Sequence, residues 1–243
     1  MQKKPLRALL LAAGFGKRLR PLTLNTPKCL VKVNEKPILE EWIEKLESIR
    51  TQKVIINTHY LHEKVNQFLK TQKFRNINID IFHEQKLLGT AGTLIYNHKF
   101  FENSLGLLIH SDNYTTLDLE LLIKAHMNRP KKCLLTMLTF NTSSPSSCGI
   151  VKLDSNKVVK GFFEKEKTPP GNIANGAAYV FEQDFLDWIL KYHSNAKDFS
   201  TEIIPNLLGK IYTYHTYKPW IDIGNIKSLK EARKISKKLN KNI

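Results

Sequence analysis

Apolar and polar positions along the first 140 residues follow two alternating periods. Short apolar runs predict strands, and stretches whose apolar residues recur every three or four positions predict amphipathic helices. The stretch 38–49 has its apolar residues on one helical face and follows Pro37, which is a helix-start signal. Strands are predicted over 7–12, 53–58, 77–82, 105–110 and 133–140, and helices over 38–49, 61–71 and 117–128. This alternation indicates βαβ units, and therefore an α/β fold whose mixed, mostly parallel, Rossmann-like sheet has helices on both faces.

The pattern becomes more β-rich after a polar loop at 141–148. Short strands are predicted over 149–153 and 157–163, joined by a turn at 154–156, and further strands over 176–181 and near 210–217. Helices are predicted over 183–192 and 201–208, and a basic helix over about 226–240. Since no stretch resembles a linker, we expect one domain over 1–243, with halves 1–140 and 141–243.

The first predicted strand runs directly into a glycine turn surrounded by cations. Gly14-Phe15-Gly16 ends the apolar run, and Lys17, Arg18 and Arg20 follow. Glycine lets the backbone N–H groups approach a ligand, and the cations favour a polyanion such as a nucleoside triphosphate. The spacing excludes a P-loop. A dinucleotide fingerprint is also excluded, since Leu19 stands where it needs a third glycine.

The order of motifs resembles that of the sugar-1-phosphate nucleotidyltransferases, also called nucleotide-sugar pyrophosphorylases. The resemblance rests on GFGKRLRPLT at 14–23, TPK at 26–28 and KPIL at 36–39, and its spelling is closest to mannose-1-phosphate guanylyltransferases. It departs from the family at Lys17, where Thr or Ser is usual, and at Cys29, where Pro is common. The resemblance implies the nucleotide-diphospho-sugar transferase fold, with nucleotide bound by the first half and sugar phosphate by the second. It also implies condensation of a nucleoside triphosphate with a sugar 1-phosphate, with release of pyrophosphate, to make precursors of surface polysaccharides or glycoconjugates.

Such a reaction needs cations along the phosphates, because it depends on positioning and charge neutralisation more than on proton transfer. Arg18 can form a forked contact with a phosphate, and Lys28 follows Pro27, which stiffens the backbone. The resemblance implies that Arg18, Lys28 and Asp112 are catalytic. It assigns nucleotide binding to Ala13, Gly14, Gly16, Lys17, Arg18, Gln85, Gly89 and Thr90, the last three belonging to a block near the base.

Two aspartates are candidate Mg²⁺ ligands. Asp112 follows an apolar run and a Ser, and ligands bind at the carboxyl ends of strands in α/β sheets. Carboxylate oxygen suits Mg²⁺, although Asp is also a common turn and N-cap residue. Asp222 lies in WIDIG at 220–224, and the resemblance pairs it with Asp112 on one Mg²⁺.

Sugar-phosphate contacts are expected in the second half. Glu164-Lys165 follows Gly161-Phe162-Phe163 and is similar to the family's F-x-E-K, and Asn175-Gly176 is similar to its N-[AG]-G block. The resemblance implies that Glu164 and Lys165 meet the sugar hydroxyls and the sugar phosphate, and that Asn175 and Gly176 lie near the sugar. Ordinary turn-and-strand chemistry is the alternative for both pairs.

The composition limits the expected binding partners and the expected cellular location of the protein. The 243 residues include 38 basic and 22 acidic ones, a formal net charge of +16, which mostly indicates a lysine-rich surface and also attracts anionic substrates. Cys29, Cys133 and Cys148 form neither a zinc pattern nor a disulfide framework. The N-terminal apolar run is too short for a signal peptide, and no run approaches a membrane span. We therefore expect a cytoplasmic monomer or homodimer without nucleic-acid or membrane partners, and, without hexapeptide repeats, no C-terminal β-helix domain.

Two other functions stay open on the sequence. A glycosyltransferase that consumes a nucleotide-sugar could use a similar sheet, although the chain lacks the Asp-x-Asp triplet of many such enzymes. A non-catalytic nucleotide-sugar sensor, or a basic nucleic-acid binder, is the second alternative. GTP is the preferred triphosphate, with CTP and UTP next, and mannose or heptose 1-phosphate is the expected acceptor.

Overall fold

The computed structural model describes residues 4–71, 74 and 76–240. Its strands are β1 (Leu6–Leu11), β2 (Lys32–Val33), β3 (Lys36–Pro37), β4 (Lys53–Thr58), β5 (Asn78–His83), β6 (Leu105–His110), β7 (Asn113–Thr115), β8 (Leu135–Asn141), β9 (Gly149–Leu153), β10 (Val159–Glu164), β11 (Ile173–Phe181), β12 (Ile211–Thr216) and β13 (Trp220–Asp222). Its helices are α1 (Ile38–Ser48), α2 (His62–Thr71), α3 (Thr90–Tyr96), α4 (Leu119–Met127), α5 (Gln183–His193) and α6 (Ile226–Asn240). The predicted α/β class with a mixed sheet is confirmed.

The chain forms two compact units, each built from several segments. The first comprises the residues up to Leu9 together with Leu88–Ile109 and Asp118–Tyr217, and the second comprises Leu10–Leu87, His110–Leu117 and the residues from Lys218 onward. The prediction of one domain with a division at residue 140 stays a prediction.

The first unit is organised around β11. Its strands lie in the order β10-β9-β11-β6-β1, and β8 also pairs with β11 and carries β12. Strand β11 is antiparallel to β6, β8 and β9, whereas β12 is parallel to β8. Aromatic rings fill the core of this unit, with ring-to-ring distances of 4.6–6.1 Å among Phe101, Tyr179, Phe181, Phe185 and Phe199. This packing explains why the apolar run of β11 is buried almost throughout.

The second unit combines parallel strands with two small antiparallel ribbons. Strands β4 and β5 are parallel, with Lys53 opposite Asn78. Strands β7 and β13 form one ribbon, and β2 and β3 form the other. The amphipathic helix α1 buries its apolar face, and its Trp42 ring meets Trp220 of β13 edge-on at 5.8 Å. The β7–β13 ribbon is thereby anchored to the core of the unit.

Most predicted elements occur near their expected bounds. Strands β4 and β6 match the predicted 53–58 and 105–110, and α6 matches the predicted basic helix. Strand β11 begins at Ile173 rather than 176, so Asn175 and Gly176 lie inside a strand. The predicted helix over 201–208 is corrected: a π-turn at Phe199–Ile203 and a 3₁₀ turn at Ile204–Leu207 occupy this region, where Pro205 cannot supply a helical N–H donor. Strands β7 and β13 were not predicted, because three-residue strands carry too little periodicity.

Candidate active site

The glycine loop at 14–20 follows β1 in the second unit. Gly16 has a left-handed backbone, with φ of 63°, which glycine adopts without strain. Its carbonyl accepts hydrogen bonds from the Thr23 hydroxyl (2.7 Å) and the Leu19 N–H (2.9 Å). Gly14 is exposed, and no protein atom lies within 4 Å of where its Cβ would stand. The fold therefore needs glycine at position 16, whereas at position 14 the missing side chain leaves open space for a ligand.

The other predicted residues of this loop differ in exposure. Ala13 is buried, whereas Lys17 and Arg18 are exposed. The Lys17 ammonium lies 5.5 Å from the centroid of the Phe15 ring, and the Arg18 guanidinium lies 3.6 Å from a carboxylate oxygen of Asp222. The loop thus presents two long cationic side chains at the surface beside its exposed glycine.

Lys28 is the centre of the charged cluster in the second unit. It begins the short turn Lys28–Leu30, directly after Pro27. Its ammonium donates a short hydrogen bond to the Oδ2 of Asp112 and a second one, of 3.2 Å, to the Oδ1 of Asp222. The Lys28 side chain is only 12% exposed, compared with 51% for Asp222. One ammonium therefore bridges two carboxylates that are 110 residues apart in the sequence (222 − 112).

The β7–β13 ribbon brings the two aspartates together. Asp112 lies between β6 and β7, and Asp222 ends β13 opposite Asn113. The N–H of Ile223 donates a 2.9 Å hydrogen bond to the carbonyl of Asp112. Backbone pairing thus places both carboxylates at one end of the ribbon, where they meet the same cation.

Protonation equilibria favour the charged forms in this cluster. Burial alone lowers the pKa of Lys28, but the carboxylates of Asp112 and Asp222 outweigh burial and raise it. Burial likewise opposes ionisation of Asp112, yet Lys28, followed by His110, holds the pKa of this carboxyl below its ordinary value. Cys29 differs, because burial raises its pKa to about 12 and keeps it a thiol. The cluster therefore holds a protonated Lys28 facing an ionised Asp112 at neutral pH.

The donor set at this point fits a small divalent cation. Two carboxylates already converge on one positive charge, and Mg²⁺ accepts one or two protein carboxylates, completing its shell with water and phosphate oxygens. Across the described ranges 4–71, 74 and 76–240, no group of three or more His, Cys, Asp or Glu side chains is arranged to hold a metal. The Asp112–Asp222 pair is therefore the arrangement to consider, with its remaining ligands coming from outside the protein.

Asn57 is a residue that the sequence analysis missed. It lies near the end of β4, is almost completely buried, and accepts a 2.6 Å hydrogen bond from the N–H of Ala12. Its amide donates a 2.8 Å hydrogen bond to the buried carboxylate of Glu84. The pair links the start of the glycine loop to the end of β5. The signal in the sequence that could have identified Asn57 was a polar residue near the end of the apolar run 53–58.

The predicted base-reading block is divided between the two units. Gln85 belongs to the second unit and is exposed just after β5. Gly89 and Thr90 belong to the first, where a Cβ on Gly89 would stand 2.3 Å from the carbonyl oxygen of Lys197. The Thr90 hydroxyl accepts a 2.7 Å hydrogen bond from the N–H of Phe199. Packing within the first unit therefore explains the presence of Gly89 and Thr90 without any contact to a ligand.

The four predicted sugar-phosphate residues all lie in the first unit. Glu164 ends β10, and its carboxylate pairs with the Lys165 ammonium at 2.8 Å. Asn175 donates a 2.7 Å hydrogen bond to the hydroxyl of Tyr179, and its Oδ1 accepts one of 2.9 Å from the N–H of Ala177. Gly176 is buried beside it.

A bulge in β11 shapes this region. The pairing of β11 with β8 shifts register between Asn175 and Tyr179, and Ala177 has a positive φ of 53°. Strand β9 pairs with both β10, at Glu164, and β11, at Ala174. Glu164 and Asn175 are therefore about two strand spacings, or roughly 10 Å, apart. Bulges of this kind frequently re-aim side chains beside active sites.

The fold is α/β, and its second unit carries a lysine and two aspartates clustered beside a glycine loop. A family model described as nucleotidyl transferase matches residues 7–238, and the chain belongs to this family. The sequence-based identification of the family is confirmed.

Individual relatives agree with this assignment. Over 226 residues, the chain is 32% identical to the mannose-1-phosphate guanylyltransferase catalytic subunit beta of Drosophila melanogaster, covering 91% of this chain and 60% of the relative. It is 31% identical over 228 residues to the mannose-1-phosphate guanyltransferase beta-A of Xenopus laevis, covering 91% and 62%. The chain thus spans about three fifths of the length of these relatives. The crystal structure of HddC from Yersinia pseudotuberculosis has the same fold, with a TM-score of 0.79, 24% identity, and coverage of 94% of this chain and 98% of that one.

Proposed function

We propose that the chain catalyses the reaction of a nucleoside triphosphate with a sugar 1-phosphate to give a nucleotide-sugar and pyrophosphate. The observation that carries the proposal is the convergence of Lys28 on Asp112 and Asp222, in a chain that belongs to the nucleotidyl transferase family. This cluster supplies a shielded cation and two carboxylates beside an exposed glycine loop.

The reaction is an in-line displacement at phosphorus. A phosphate oxygen of the sugar 1-phosphate forms a bond to the α-phosphorus, while the bond from that phosphorus to the oxygen bridging the β-phosphorus breaks and pyrophosphate leaves. Such a transition state is stabilised by positioning and by neutralisation of charge on the phosphate oxygens. Lys28 and Arg18 neutralise this charge in our proposal, and residues 13–18 supply backbone N–H groups to the triphosphate.

Asp112 and Asp222 are the residues proposed to hold Mg²⁺. When bound, the ion supplies positive charge to the phosphate oxygens and reverses the repulsion that two carboxylates exert on a triphosphate. Lys28 neutralises both carboxylates, so its ammonium would have to leave these oxygens if they held the ion. The released ammonium would then be available to a phosphate.

Recognition of the base and of the sugar is assigned to the remaining predicted residues. Gln85, Gly89 and Thr90 are proposed to face the base. Glu164, Lys165, Asn175 and Gly176 are proposed to bind the sugar phosphate. The bulge at Asn175 and the exposed Lys165 ammonium support this second assignment.

GTP and mannose 1-phosphate are the proposed substrates, because relatives at 31–32% identity are named for that activity. No helix in the described portion of the chain has both the length and the apolar character to cross a membrane. We propose a cytoplasmic location, which is consistent with three cysteines that form no disulfide.

A matrix of the four nucleoside triphosphates against several sugar 1-phosphates, read by pyrophosphate release, tests the proposal. We expect release that requires both substrates and is fastest for GTP with mannose 1-phosphate. A nucleotide-sugar-dependent glycosyltransferase would release no pyrophosphate, and a sensor would bind the nucleotide without turnover. Absence of release with every pair, from a folded protein supplied with Mg²⁺, would refute the proposed activity.

A further inference from the structure

The outer side of α6 carries an uninterrupted row of cations. Exposed lysines recur at intervals of three and four residues, which align along one side of a helix. The opposite side is buried through Leu229 and Ala232. At 1.5 Å per residue the row is about 17 Å long. The members of this α6 lysine row are Lys227, Lys230, Lys234, Lys237 and Lys238.

The α6 lysine row is not neutralised by the protein. Within the described ranges of the chain, none of its members forms an ion pair with a carboxylate, and Glu231 is the one acidic residue of α6. Some surface lysines elsewhere are paired: Lys36 lies 2.7 Å from Glu44, and Lys124 lies 3.2 Å from Glu120. The concentration of unpaired charge therefore distinguishes α6 from the other helices.

Such an arrangement costs the helix stability. Like charges three or four residues apart on a helix repel each other, and the row contains four such pairs (227–230, 230–234, 234–237 and 234–238). A surface that had only to stay hydrated would be served by mixed charges. An anionic partner would relieve the repulsion among these lysines.

The C-terminal half of the row borders a cavity. Arg233 donates hydrogen bonds of 3.1 and 2.9 Å to the carbonyl of Lys32, which hold α6 against β2. A cavity of about 420 Å³ lies there, lined by Asn34, Arg233, Lys234, Lys237 and Lys238. The buried amide nitrogen of Asn34 has no hydrogen-bond partner in the described structure. Cations around a cavity of this size suit a phosphate-containing headgroup.

From this surface we infer that the second unit binds a bilayer containing anionic phospholipids, with the α6 lysine row on the headgroups. Clusters of basic residues on a helix are attracted to such surfaces. Nucleic acid is disfavoured, because α6 has no aromatic residue on which bases could stack. The exposed apolar side chain at its N-terminal end, Ile226, is instead compatible with the interfacial region of a membrane.

The sequence-based expectation of no membrane partner depended on the lack of an apolar span, which peripheral electrostatic binding does not need. The inference is independent of the proposed catalysis, since no member of the row belongs to the catalytic cluster.

Co-sedimentation with vesicles tests the inference. The probes are vesicles of phosphatidylcholine alone and of phosphatidylcholine mixed with phosphatidylglycerol, with the whole chain as the protein. In the row variant, all five lysines of the α6 lysine row become Gln, which keeps helix propensity. In the control variant, five exposed lysines elsewhere become Gln, so both variants have the same net charge. The control positions are Lys53, Lys70, Lys99, Lys131 and Lys132.

We expect the wild type and the control variant to bind the anionic vesicles, and the row variant to bind roughly a hundredfold more weakly or worse. Added salt should release the wild type. Circular dichroism checks that both variants fold. Equal losses in the two variants would show that net charge alone drives binding and would overturn the inference. Failure of the folded wild type to bind anionic vesicles, or its preference for a single-stranded RNA oligonucleotide over them, would overturn it equally.

Discussion

At the scale of single residues, Lys28 determines the electrostatic balance of the candidate active site. Its ammonium is largely shielded from solvent and contacts the carboxylates of both Asp112 and Asp222. Arg18 reaches only Asp222, from a far more exposed position. The two cations therefore have different roles in our proposal: Lys28 acts at the centre of the cluster, and Arg18 acts at its rim.

The first prediction concerns Lys28→Ala. We expect turnover to fall by on the order of a hundredfold or more, because a charge-assisted contact to the reacting phosphates is lost. Pyrophosphate release at saturating substrate measures the effect, and a thermal melt checks the fold. The matched control is Lys36→Ala, which removes only a surface ion pair with Glu44 and should leave turnover unchanged. Near-normal turnover of Lys28→Ala would exclude this lysine from catalysis.

The second prediction concerns the aspartate pair. Asp112→Asn and Asp222→Asn should each cut the rate sharply and raise the Mg²⁺ concentration needed for activity. Because the two side chains are proposed to serve one ion, the double variant should lose much less than the sum of the single losses. Titration of each variant with Mg²⁺ measures both effects.

A control on β5 accompanies this cycle. Asp80→Asn changes an exposed aspartate of the same unit and should leave the Mg²⁺ dependence as it is. Strictly additive losses at Asp112 and Asp222, or wild-type activity in the presence of a chelator, would contradict a shared ion.

At the scale of elements, two short pieces of backbone position the cluster. The β7–β13 ribbon sets Asp112 beside Asp222, and the turn after Pro27 presents Lys28 to both. The glycine loop is held separately, by the Thr23 hydroxyl on the Gly16 carbonyl and by Asn57 on the N–H of Ala12. Each piece can therefore be perturbed without changing a charged group.

The third prediction separates the structural glycine of the loop from the proposed ligand-facing one. Gly16→Ala should lower the free energy of unfolding by roughly 1–2 kcal/mol, because its φ of 63° is left-handed and its Cβ would stand 2.9 Å from Thr23. Gly14→Ala has open space around the new methyl and should retain wild-type stability. It should nevertheless reduce kcat/KM if the triphosphate approaches this backbone.

Urea denaturation and steady-state kinetics on both variants check the distinction. Wild-type kinetics in a stable Gly14→Ala protein would remove Gly14 from the nucleotide site. Unchanged stability in Gly16→Ala would contradict the left-handed conformation.

At the scale of the whole molecule, stability should depend on pH through a buried histidine of the first unit. His126 is fully buried, and its Nδ1 lies 2.8 Å from the Thr136 hydroxyl. Burial, followed by the nearby Arg129, lowers the pKa of His126 to about 3, although Glu182 partly opposes this. The imidazole is therefore neutral in the folded state across the physiological range.

The fourth prediction is a loss of stability on acidification. Below pH 6.5 the histidine of the unfolded chain takes up a proton, whereas His126 in the folded protein stays neutral down to about pH 3. The unfolded state binds more protons in this window, so the free energy of unfolding falls as pH falls, by up to about 2 kcal/mol between pH 6.5 and pH 5. Urea denaturation at several pH values measures the slope.

One variant isolates the contribution of His126. His126→Gln should flatten the dependence between pH 6.5 and pH 5, since Gln does not titrate. Equal slopes in this variant and the wild type would mean that His126 titrates normally in the folded state.

The extent to which the sequence predicted the protein differs between elements and contacts. Strands β4 and β6 have the predicted bounds, because fully apolar runs bounded by polar residues carry a strong local signal. Asn175, expected just before the strand predicted over 176–181, lies within β11, because pairing with β8 across a bulge extends the strand backward. The link from Glu84 through Asn57 to Ala12 was not anticipated, since it joins residues from three separate segments.

By itself, the sequence determined the α/β class, the nucleotidyl transferase family, the glycine turn after the first strand and the cation-rich α6, because each depends on residues that are neighbours along the chain. Only the tertiary structure decided that Lys28 bridges Asp112 and Asp222, that Asn57 supports the loop, and that the lysines of α6 are left without carboxylate partners among the described residues. The physical reason is that strand register, burial and charge neutralisation depend on distant residues, and strands as short as β7 and β13 become stable only through the contacts they make.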